Sequence, residues 1–271
     1  MTRLDFANLI LDKIDTHKDE LSAAFSASKS SISYFVLDDL LPLNLAEQIH
    51  QVFPKPSEMV LKKSLKEQKY VSAQMNLHHP LLEELLFAFQ DPRIIKLIQS
   101  ICNINEAVFA DEQLYAGGVS LMAKNCFLNP HLDNSHDNER QRWRVLNLLY
   151  YTTPGWEKSY GGNLELWPNG VHGQPLELLS KYNRLVVMAT HDASWHSVNE
   201  VLADQQRQCI SNYYFSPKPL QNHEDFHVTL FRGRPNQKLR NALLNIDGKL
   251  RMGIRKLFKK GIRQNPHIYK K

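Results

Sequence analysis

The run RQCISNYYFS at residues 207–216 is rich in β-forming residues, and four similar runs precede it. They are GGVSLMA at 117–123, RVLNLLYYTT at 144–153, GGNLELW at 161–167 and NRLVVMAT at 183–190. Short strands at this spacing, with Gly, Pro and Asn between them, are typical of a sandwich or barrel. We therefore predict an antiparallel β core that begins near Val108, and we place it in residues 107–217.

The chain before this core has the pattern of helices. Phe6, Leu9, Ile10 and Ile14 recur at helical spacing, which predicts an amphipathic opening helix. The other expected elements are a strand within 31–37, a helix from its cap Asn44 to about Phe53, and helices near 80–89 and 92–102, the last entered through Asp91-Pro92. The Lys-rich segment 54–69 is expected to be a loop. Residues 1–106 are thus predicted to be a helical part packed on the core, an α+β arrangement.

The net charge of +5 is unevenly distributed along the chain. From Arg232 to Lys271 there are 13 Lys and Arg against one acid, Asp247, so the remainder of the chain is acidic. An apolar stripe at helical spacing runs through this tail: Leu239, Leu243, Ile246, Leu250, Ile254 and Leu257. Residues 218–271 are therefore predicted to form a basic helical extension. We expect the stripe to cover its own domain; the alternatives are an anionic membrane surface, nucleic acid or an acidic partner.

The location of the protein is predicted from what the sequence contains. It has no apolar run of about 18 residues, so no transmembrane segment is expected. The first twenty residues carry acids throughout and lack the core of a signal peptide. Cys102, Cys126 and Cys209 are an odd number without metal-like spacing. We expect reduced thiols in a cytoplasmic protein.

The segment Asn129-Pro-His-Leu-Asp133 follows a β-rich run directly. In an extended chain residues i and i+2 point to the same side, so His131 and Asp133 can reach one metal ion together. His196 offers a third ligand after a short turn. Two imidazoles and one carboxylate on one face leave three positions of an octahedral ion open, as in non-haem iron(II) oxygenases. A His-x-Asp pair is common by chance, so its context has to support the assignment.

Arg207 provides that context, because it opens the last β-rich run soon after His196. An arginine buried in a barrel without an anionic partner would be costly, and its guanidinium suits bidentate capture of a carboxylate. Alternation places Arg207, Cys209 and Ser211 on one side of the strand, where the small side chains leave room for a ligand. The alternative interpretation of Arg207 is a surface salt bridge.

The stretch from His131 to Phe215 resembles the catalytic core of the prolyl-hydroxylase-like 2-oxoglutarate oxygenases. The pieces that carry the resemblance are, in order, HLD, RVLNLLYYTTPGW, YGGNLELWPNG, NRLVVMATHDASWHSV and RQCISNYYF. The resemblance implies a double-stranded β-helix (jelly-roll) fold that uses Fe(II) and 2-oxoglutarate, with ascorbate as a candidate reductant. It assigns His131, Asp133 and His196 to iron and Arg207 to the distal carboxylate of 2-oxoglutarate.

Other positions carry over less directly. Tyr151 matches a family tyrosine whose hydroxyl contacts the co-substrate, and Ser211 matches a hydroxyl residue near the same carboxylate. Asn147 lies on the same side as Tyr151 by alternation, so we include it among the co-substrate residues. Many relatives carry a further tyrosine on the strand before His-x-Asp, whereas residues 117–127 contain none. His136 would point away from the metal ligands and is expected in a substrate loop or on the surface.

The resemblance implies an enzyme that hydroxylates a substrate while 2-oxoglutarate is decarboxylated to succinate. The substrate is left open: a protein residue such as proline, or a small or glycan-linked molecule. A different class also fits the pattern, namely a non-oxidative metal-binding jelly roll. It would be a cupin-like hydrolase or isomerase, or a binding module docked on an anionic polymer or membrane through the basic tail. Arg207 argues against the hydrolase, which needs no dicarboxylate anchor, and the complete triad argues against the binding module.

Overall fold

The computed structural model describes residues 1–221, 225–258 and 268–270. Its helices are α1 (Arg3–Thr16), α2 (Lys18–Ala27), α3 (Leu43–Gln51), α4 (Pro80–Ala88), α5 (Pro92–Ile101) and α6 (Lys238–Leu257). Its strands are β1 (Tyr34–Leu37), β2 (Val60–Lys63), β3 (Glu67–Ser72), β4 (Phe109–Ala110), β5 (Gly118–Met122), β6 (Phe127–Leu132), β7 (Trp143–Tyr151), β8 (Leu164–Leu166), β9 (Leu176–Leu178), β10 (Arg184–Ala189), β11 (His196–Val198), β12 (Arg207–Ser216) and β13 (Leu230–Phe231). Each of the five β-rich runs of the sequence contains one of these strands.

Antiparallel pairing joins the strands in the order β1-β10-β7-β12-β5-β3-β6-β11-β8-β9. Strands that are distant in the sequence therefore alternate: β12 lies between β7 and β5, and β11 lies between β6 and β8. This order is that of a sheet curled on itself as a double-stranded β-helix. The predicted α+β class with a jelly-roll core is confirmed.

The two faces of β7 show how the sheet divides the interior. Tyr150 packs in the large cluster that also contains Ile10 of α1, on the face that the helices cover. Leu149 and Tyr151 pack with Cys209 in a separate cluster on the other face. Successive side chains of a strand point to opposite faces. The N-terminal helices thus support the outer face of the sheet, while the inner face is left for the interior of the curl.

The N-terminal helices follow most of the predicted pattern. Helix α1 buries Phe6, Ile10 and Ile14, as its spacing predicts. Helix α5 is capped by Asp91, whose side chain accepts a hydrogen bond from the Arg93 backbone N–H at 2.9 Å. Helix α2 was not predicted. Helix α3 begins at Leu43 after Pro42, so the predicted cap Asn44 lies inside the helix and the cap prediction is wrong.

The segment 54–69 contains part of a β-hairpin, and the prediction of a loop is wrong. Strands β2 and β3 pair with Lys62 opposite Lys69, and β3 also pairs with β5 and β6. Every residue of β3 is half-buried, and β2 is mostly exposed. Because neither strand has a fully buried face, both tolerate Lys, Glu and Gln. The resulting polar composition conceals the alternation by which strands are recognised.

Within the predicted C-terminal extension the structure describes one helix, α6, and the short strand β13, and the apolar stripe of α6 faces away from the core. Helix α6 buries only Leu244 and Gly248 among its described residues. Gly248 packs next to Leu230 of β13, where an added Cβ would lie 3.4 Å from Leu230 Cδ2. The expectation that the stripe covers its own domain is therefore wrong, because the helix rests on its opposite face. Residues 259–267 and 271 of the extension lie outside the described residues.

The ends of the extension contact the core through specific side chains. Arg234 forms a bidentate ion pair with Glu165, with Nη1–Oε1 at 3.1 Å and Nη2–Oε2 at 2.7 Å. The guanidinium of Arg232 lies 5.2 Å from the Trp195 ring centre. Farther along, the Tyr269 backbone N–H donates to the Gln113 carbonyl at 2.7 Å. Part of the positive charge of the tail thus takes part in contacts within the molecule. None of the described helices is long and apolar enough to cross a membrane.

Asn183 joins the N-terminal part to the core, which gives a test of the fold. Its Oδ1 accepts from the Leu41 N–H at 3.0 Å and the Tyr150 hydroxyl at 2.8 Å, and its Nδ2 donates to the Leu41 carbonyl at 2.7 Å. The substitution Asn183→Ala leaves these buried groups unpaired at a position with φ of 58°. We expect a loss of roughly 3 kcal/mol in the free energy of unfolding, measured by urea denaturation. The exposed Asn236→Ala is the control, and equal stability of both variants would contradict the prediction.

Candidate active site

Three potential metal ligands meet at the pairing of β6 with β11. His131 lies directly opposite His196 in the register of these strands, and Asp133 follows β6. One ligand atom from each of the three residues lies within 4.8 Å of the others. The Asp133 carboxylate is 3.7 Å from His131 Nε2 through Oδ1 and 3.7 Å from His196 Nε2 through Oδ2. The structure therefore brings together all three residues that the sequence proposed as ligands.

Hydrogen bonds at the far side of each ring orient both imidazoles. His131 Nδ1 lies 3.0 Å from the Asn129 carbonyl oxygen, and His196 Nδ1 lies 2.9 Å from the Ser194 carbonyl oxygen. A carbonyl only accepts, so each Nδ1 carries the proton and each Nε2 presents its lone pair to the centre. The Asp133 Oδ2 atom is buried without a hydrogen-bond partner. Two lone pairs and an unsatisfied carboxylate oxygen facing one point fit a divalent cation such as Fe(II).

Burial and neighbouring charges favour the protonation states that a metal requires at His131 and Asp133. Burial, together with the neighbouring His196, lowers the pKa of His131 to about 3 against the opposing effect of Asp133. Burial would raise the pKa of Asp133, but the Arg144 guanidinium and the two histidines lower it to about 2. His131 is therefore a neutral imidazole and Asp133 a carboxylate at neutral pH, which are the metal-binding forms.

Arg144 is a site residue that the sequence did not identify. It is buried, and its Nη1 lies 3.4 Å from Asp133 Oδ1. By simple alternation along β7 it would point away from Asn147. The register shifts between Tyr214 and Phe215, so that Tyr213 pairs with Asn147 while Phe215 pairs with Arg144. This bulge turns Arg144 to the inner face, a change of direction that an alternation count cannot anticipate.

Arg207 lies on the inner face of β12 and has the surroundings of an anion receptor. Only 3% of it is exposed. Its Nε donates to Ser180 Oγ at 3.0 Å, its Nη1 lies 3.7 Å from Met122 Sδ, and its Cζ is 4.7 Å from the Tyr151 ring centre. Among the described residues no carboxylate is paired with this guanidinium. A surface salt bridge is thus excluded for the described chain, and the buried charge fits a carboxylate-bearing ligand.

The other predicted co-substrate residues lie around the same inner face. Tyr151 and Cys209 pair across β7 and β12, and Asn147 pairs with Tyr213 farther along. Burial raises the pKa of Tyr151 to about 12, so its hydroxyl keeps its proton and can donate to an anion. The Asn147 Oδ1 is buried without a partner. Ser211 lines the cavity that holds two of the metal ligands.

A cavity of about 840 Å³ opens over the metal ligands, and positive side chains dominate its polar lining. His131, Asp133 and Ser211 form part of its wall. The cationic residues that line it are Lys62, Lys66, Lys69, Arg144, Arg251 and Arg255, against the acids Glu67 and Asp133. Three of these lysines come from the β2–β3 hairpin and the turn within it. Sequence reasoning missed them because it placed this segment in a loop.

His136 is close to the metal ligands in sequence but takes no part in their cluster. It is buried and packs against Trp143 in a tilted arrangement, with ring centres 3.9 Å apart, and Ser135 Oγ lies 2.7 Å from its Nδ1. The prediction that it points away from the ligands agrees with this packing. The expectation of a surface position is wrong, because the ring fills a space between Trp143 and Phe226.

The geometry of the ligands predicts that metal binding requires His131 and Asp133 but not His136. His131→Ala or Asp133→Ala should weaken Mn(II) binding by roughly 100-fold or more, because each removes one of three protein ligands. Calorimetric titration of the metal-free protein measures this. His136→Ala is the matched control, since it also removes a buried histidine ring. A loss of affinity in the control as large as in His131→Ala, with both variants folded, would contradict the assignment.

Comparison with known proteins shows what the β core is similar to. The 2OG-Fe(II) oxygenase superfamily profile matches residues 117–215, which contain strands β5 to β11 and all of β12 except Ser216. The prolyl 3-hydroxylase OGFOD1 of Mus musculus is 33% identical over 87 residues, and that of Xenopus laevis is 36% identical over 84 residues. These matches cover 30% and 29% of this chain but only 16% of either relative.

Solved structures share the fold at low sequence identity. A prolyl-4-hydroxylase of Pseudomonas putida superposes with a TM-score of 0.55 at 15% identity, covering 72% of this chain and 98% of that protein. A prolyl hydroxylase of Trichoplax adhaerens gives 0.53 at 16% identity, covering 74% and 91%. Profile, relatives and fold agree with the His-Asp-His cluster in the core. The core of this chain is thus similar in sequence to the 2OG-Fe(II) oxygenase superfamily, and its fold is that of solved prolyl hydroxylases.

Proposed function

We propose that this protein is an Fe(II)- and 2-oxoglutarate-dependent dioxygenase that hydroxylates its substrate and converts 2-oxoglutarate to succinate. The observation that carries the proposal is the combination of two features on one curled sheet. The first is the cluster of His131, Asp133 and His196, whose free donor atoms face one point. The second is Arg207, a buried cation with no carboxylate partner among the described residues. The first suits the metal, and the second suits its dicarboxylate co-substrate.

The side chains of the site have separate tasks in this proposal. His131 and His196 hold the iron through Nε2 and Asp133 holds it through its carboxylate. Arg207 binds the distal carboxylate of 2-oxoglutarate, with Tyr151 as a hydroxyl donor beside it. When bound, iron and 2-oxoglutarate would allow dioxygen to act as the oxidant: one oxygen atom would enter a substrate C–H bond, the other would enter succinate, and carbon dioxide would be released.

Three further residues complete the assignment. Asn147 and Ser211 are proposed to add polar contacts to the co-substrate. Arg144 keeps Asp133 ionised and oriented. The apolar residues of the inner face limit the access of water to the reacting groups.

The alternative is a jelly roll that binds a metal without oxidation, as a cupin-like hydrolase or isomerase or as a binding module. Such a protein has no need of a buried, unpaired guanidinium, whose desolvation is costly. The oxygenase profile that the core matches and the complete set of ligands also favour the oxygenase. Ascorbate enters only as an optional reductant.

The excess of positive charge along the cavity lining indicates what kind of substrate fits the site. Lysines and arginines outnumber acids along its lining, which favours a substrate with negative charge near the reacting carbon. The candidate substrates are a proline or other residue of a protein, and a small or glycan-linked molecule; the relatives named above are prolyl 3-hydroxylases. An acidic sequence around the modified residue would meet the charge requirement in the first case, and a phosphate or carboxylate group would do so in the second.

We also propose a role for each of three segments of the chain. Residues 1–106 support the catalytic unit, 107–217 form the oxygenase core and 218–271 form the basic extension. Strands β1 to β3 of the first part join the sheet, so this support extends beyond helices. A cytoplasmic location is supported by Cys102, Cys126 and Cys209, which are buried and unpaired.

Two experiments test the proposed activity. Anaerobic addition of Fe(II) and then 2-oxoglutarate should produce a weak visible absorption band, since the co-substrate chelates the metal. In air, the protein should form succinate from 2-oxoglutarate, and fractions of cell extract that contain the substrate should stimulate it. Absence of both the band and the turnover, in a protein that binds Mn(II), would favour the non-oxidative alternative.

Arg207 supplies a prediction specific to the co-substrate. Arg207→Gln should raise the 2-oxoglutarate concentration for half-maximal succinate formation by about 10- to 100-fold, because a charge-assisted contact is lost. Mn(II) binding should not change. Arg184→Gln is the matched control: this arginine also lies in the sheet, but Asp38 neutralises it at 2.6 Å. An unchanged half-saturation in Arg207→Gln would contradict the role of this residue.

A further inference from the structure

Helix α6 presents a long apolar stripe to solvent. Leu239, Leu250 and Leu257 are 78%, 63% and 81% exposed, and the stripe also contains Leu243, Ile246 and Ile254. The opposite face of the helix holds Leu244 and Gly248, which are buried against the core. The orientation is fixed by that packing, so the stripe is turned away from the protein. Six large apolar side chains in a row on a rigid surface form a patch that usually marks an interaction site.

Positive charges lie along the edges of this stripe. At about 3.6 residues per turn, Lys238, Lys249 and Lys256 fall on one edge, and all three are exposed. Arg240 falls on the other edge. Asp247 is the only acid of the helix, and it is paired with Lys66 and Arg251. A helix with an apolar stripe, a row of lysines along one edge and an arginine on the other matches the boundary between the acyl chains and the headgroups of an anionic bilayer.

The same charges argue against a second copy of this chain as the occupant. Pairing two stripes would bring the lysines of one helix close to those of the other, without acids on the helix surface to compensate. The helix also carries too many charges to cross a bilayer, in line with the absence of a membrane-spanning helix among the described residues. A helix of this kind lies in the plane of the membrane surface.

We propose that α6 docks this protein on an anionic membrane surface, with the stripe in the outer acyl region and the lysines at the lipid headgroups. The active-site cavity adjoins the same helix, because Arg251, Ile254 and Arg255 line it. Ile254 is also 39% exposed and belongs to the stripe. Docking through α6 therefore places the cavity next to the lipid headgroups.

Vesicle flotation with the full chain tests this docking. Wild-type protein should float with vesicles of phosphatidylglycerol and phosphatidylcholine and remain behind with phosphatidylcholine alone. The triple variant K238Q/K249Q/K256Q should partition about 100-fold less well, since each cation near the surface contributes about 1 kcal/mol. The double variant L243S/L250S should lose partitioning at any salt concentration, because it removes the inserted surface.

Matched controls separate the stripe from general charge and hydrophobicity. L77S/L202S removes two leucines that are 74% and 62% exposed elsewhere, and K158Q/K181Q/K218Q removes the same charge from other surfaces. Both should float like the wild type, and all variants should keep the wild-type circular dichroism. Failure of the wild type to float, or equal flotation of the stripe variants, would overturn the proposal. So would a lipid-independent dimer that L243S/L250S abolishes, because the stripe would then bind a second copy.

Discussion

The pairing of β6 with β11 is the interaction on which the site depends. It sets His131 opposite His196 and thereby fixes the separation of two imidazoles that come from distant parts of the sequence. Backbone carbonyls next to each histidine then select the ring orientation. The ligand atoms converge because the sheet is paired in one register. A slip of one residue in β11 would turn His196 to the opposite face and remove it from the cluster.

The distribution of buried charge follows from the same architecture. Asp133 is paired with Arg144, and Glu165 is paired with Arg234. Arg207 instead has a hydroxyl, a thioether and an aromatic ring as neighbours. Because Arg144 and Arg234 are neutralised by these acids, Arg207 is the buried guanidinium that an incoming dicarboxylate can meet. The pattern of charge pairing thus distinguishes the arginines that have a structural role from Arg207, which is left to bind a ligand.

Much of the fold was predictable because its signals are local. The β-rich runs each yielded a strand, and Phe6, Ile10 and Ile14 gave the register of α1. The triad was found because His131 and Asp133 share the side of one extended segment. The predictions that were wrong or missing have a different physical cause.

What the sequence concealed depends on contacts between distant residues. The lysines of the β2–β3 hairpin give its strands the composition of a loop. Arg144 reaches the site only through the bulge between β7 and β12, and β12 begins more than sixty residues after Arg144. The outward direction of the α6 stripe follows from the burial of Leu244 and Gly248 on the opposite face of the helix. The periodicity of the helix shows that a stripe exists without showing what it faces.

The interleaved strand order also determines when the metal can enter. Strand β11 inserts between β6 and β8, and β12 closes the other side between β5 and β7, so the curl is complete only after its last strands have been synthesised and paired. Contacts of such long sequence separation form late in folding. A growing or partly folded chain therefore has no assembled iron site. A histidine of such a chain can contact iron only as a single ligand, which does not hold the metal tightly. Iron can bind tightly only to the finished protein, and its binding energy then adds to the stability of the folded state alone.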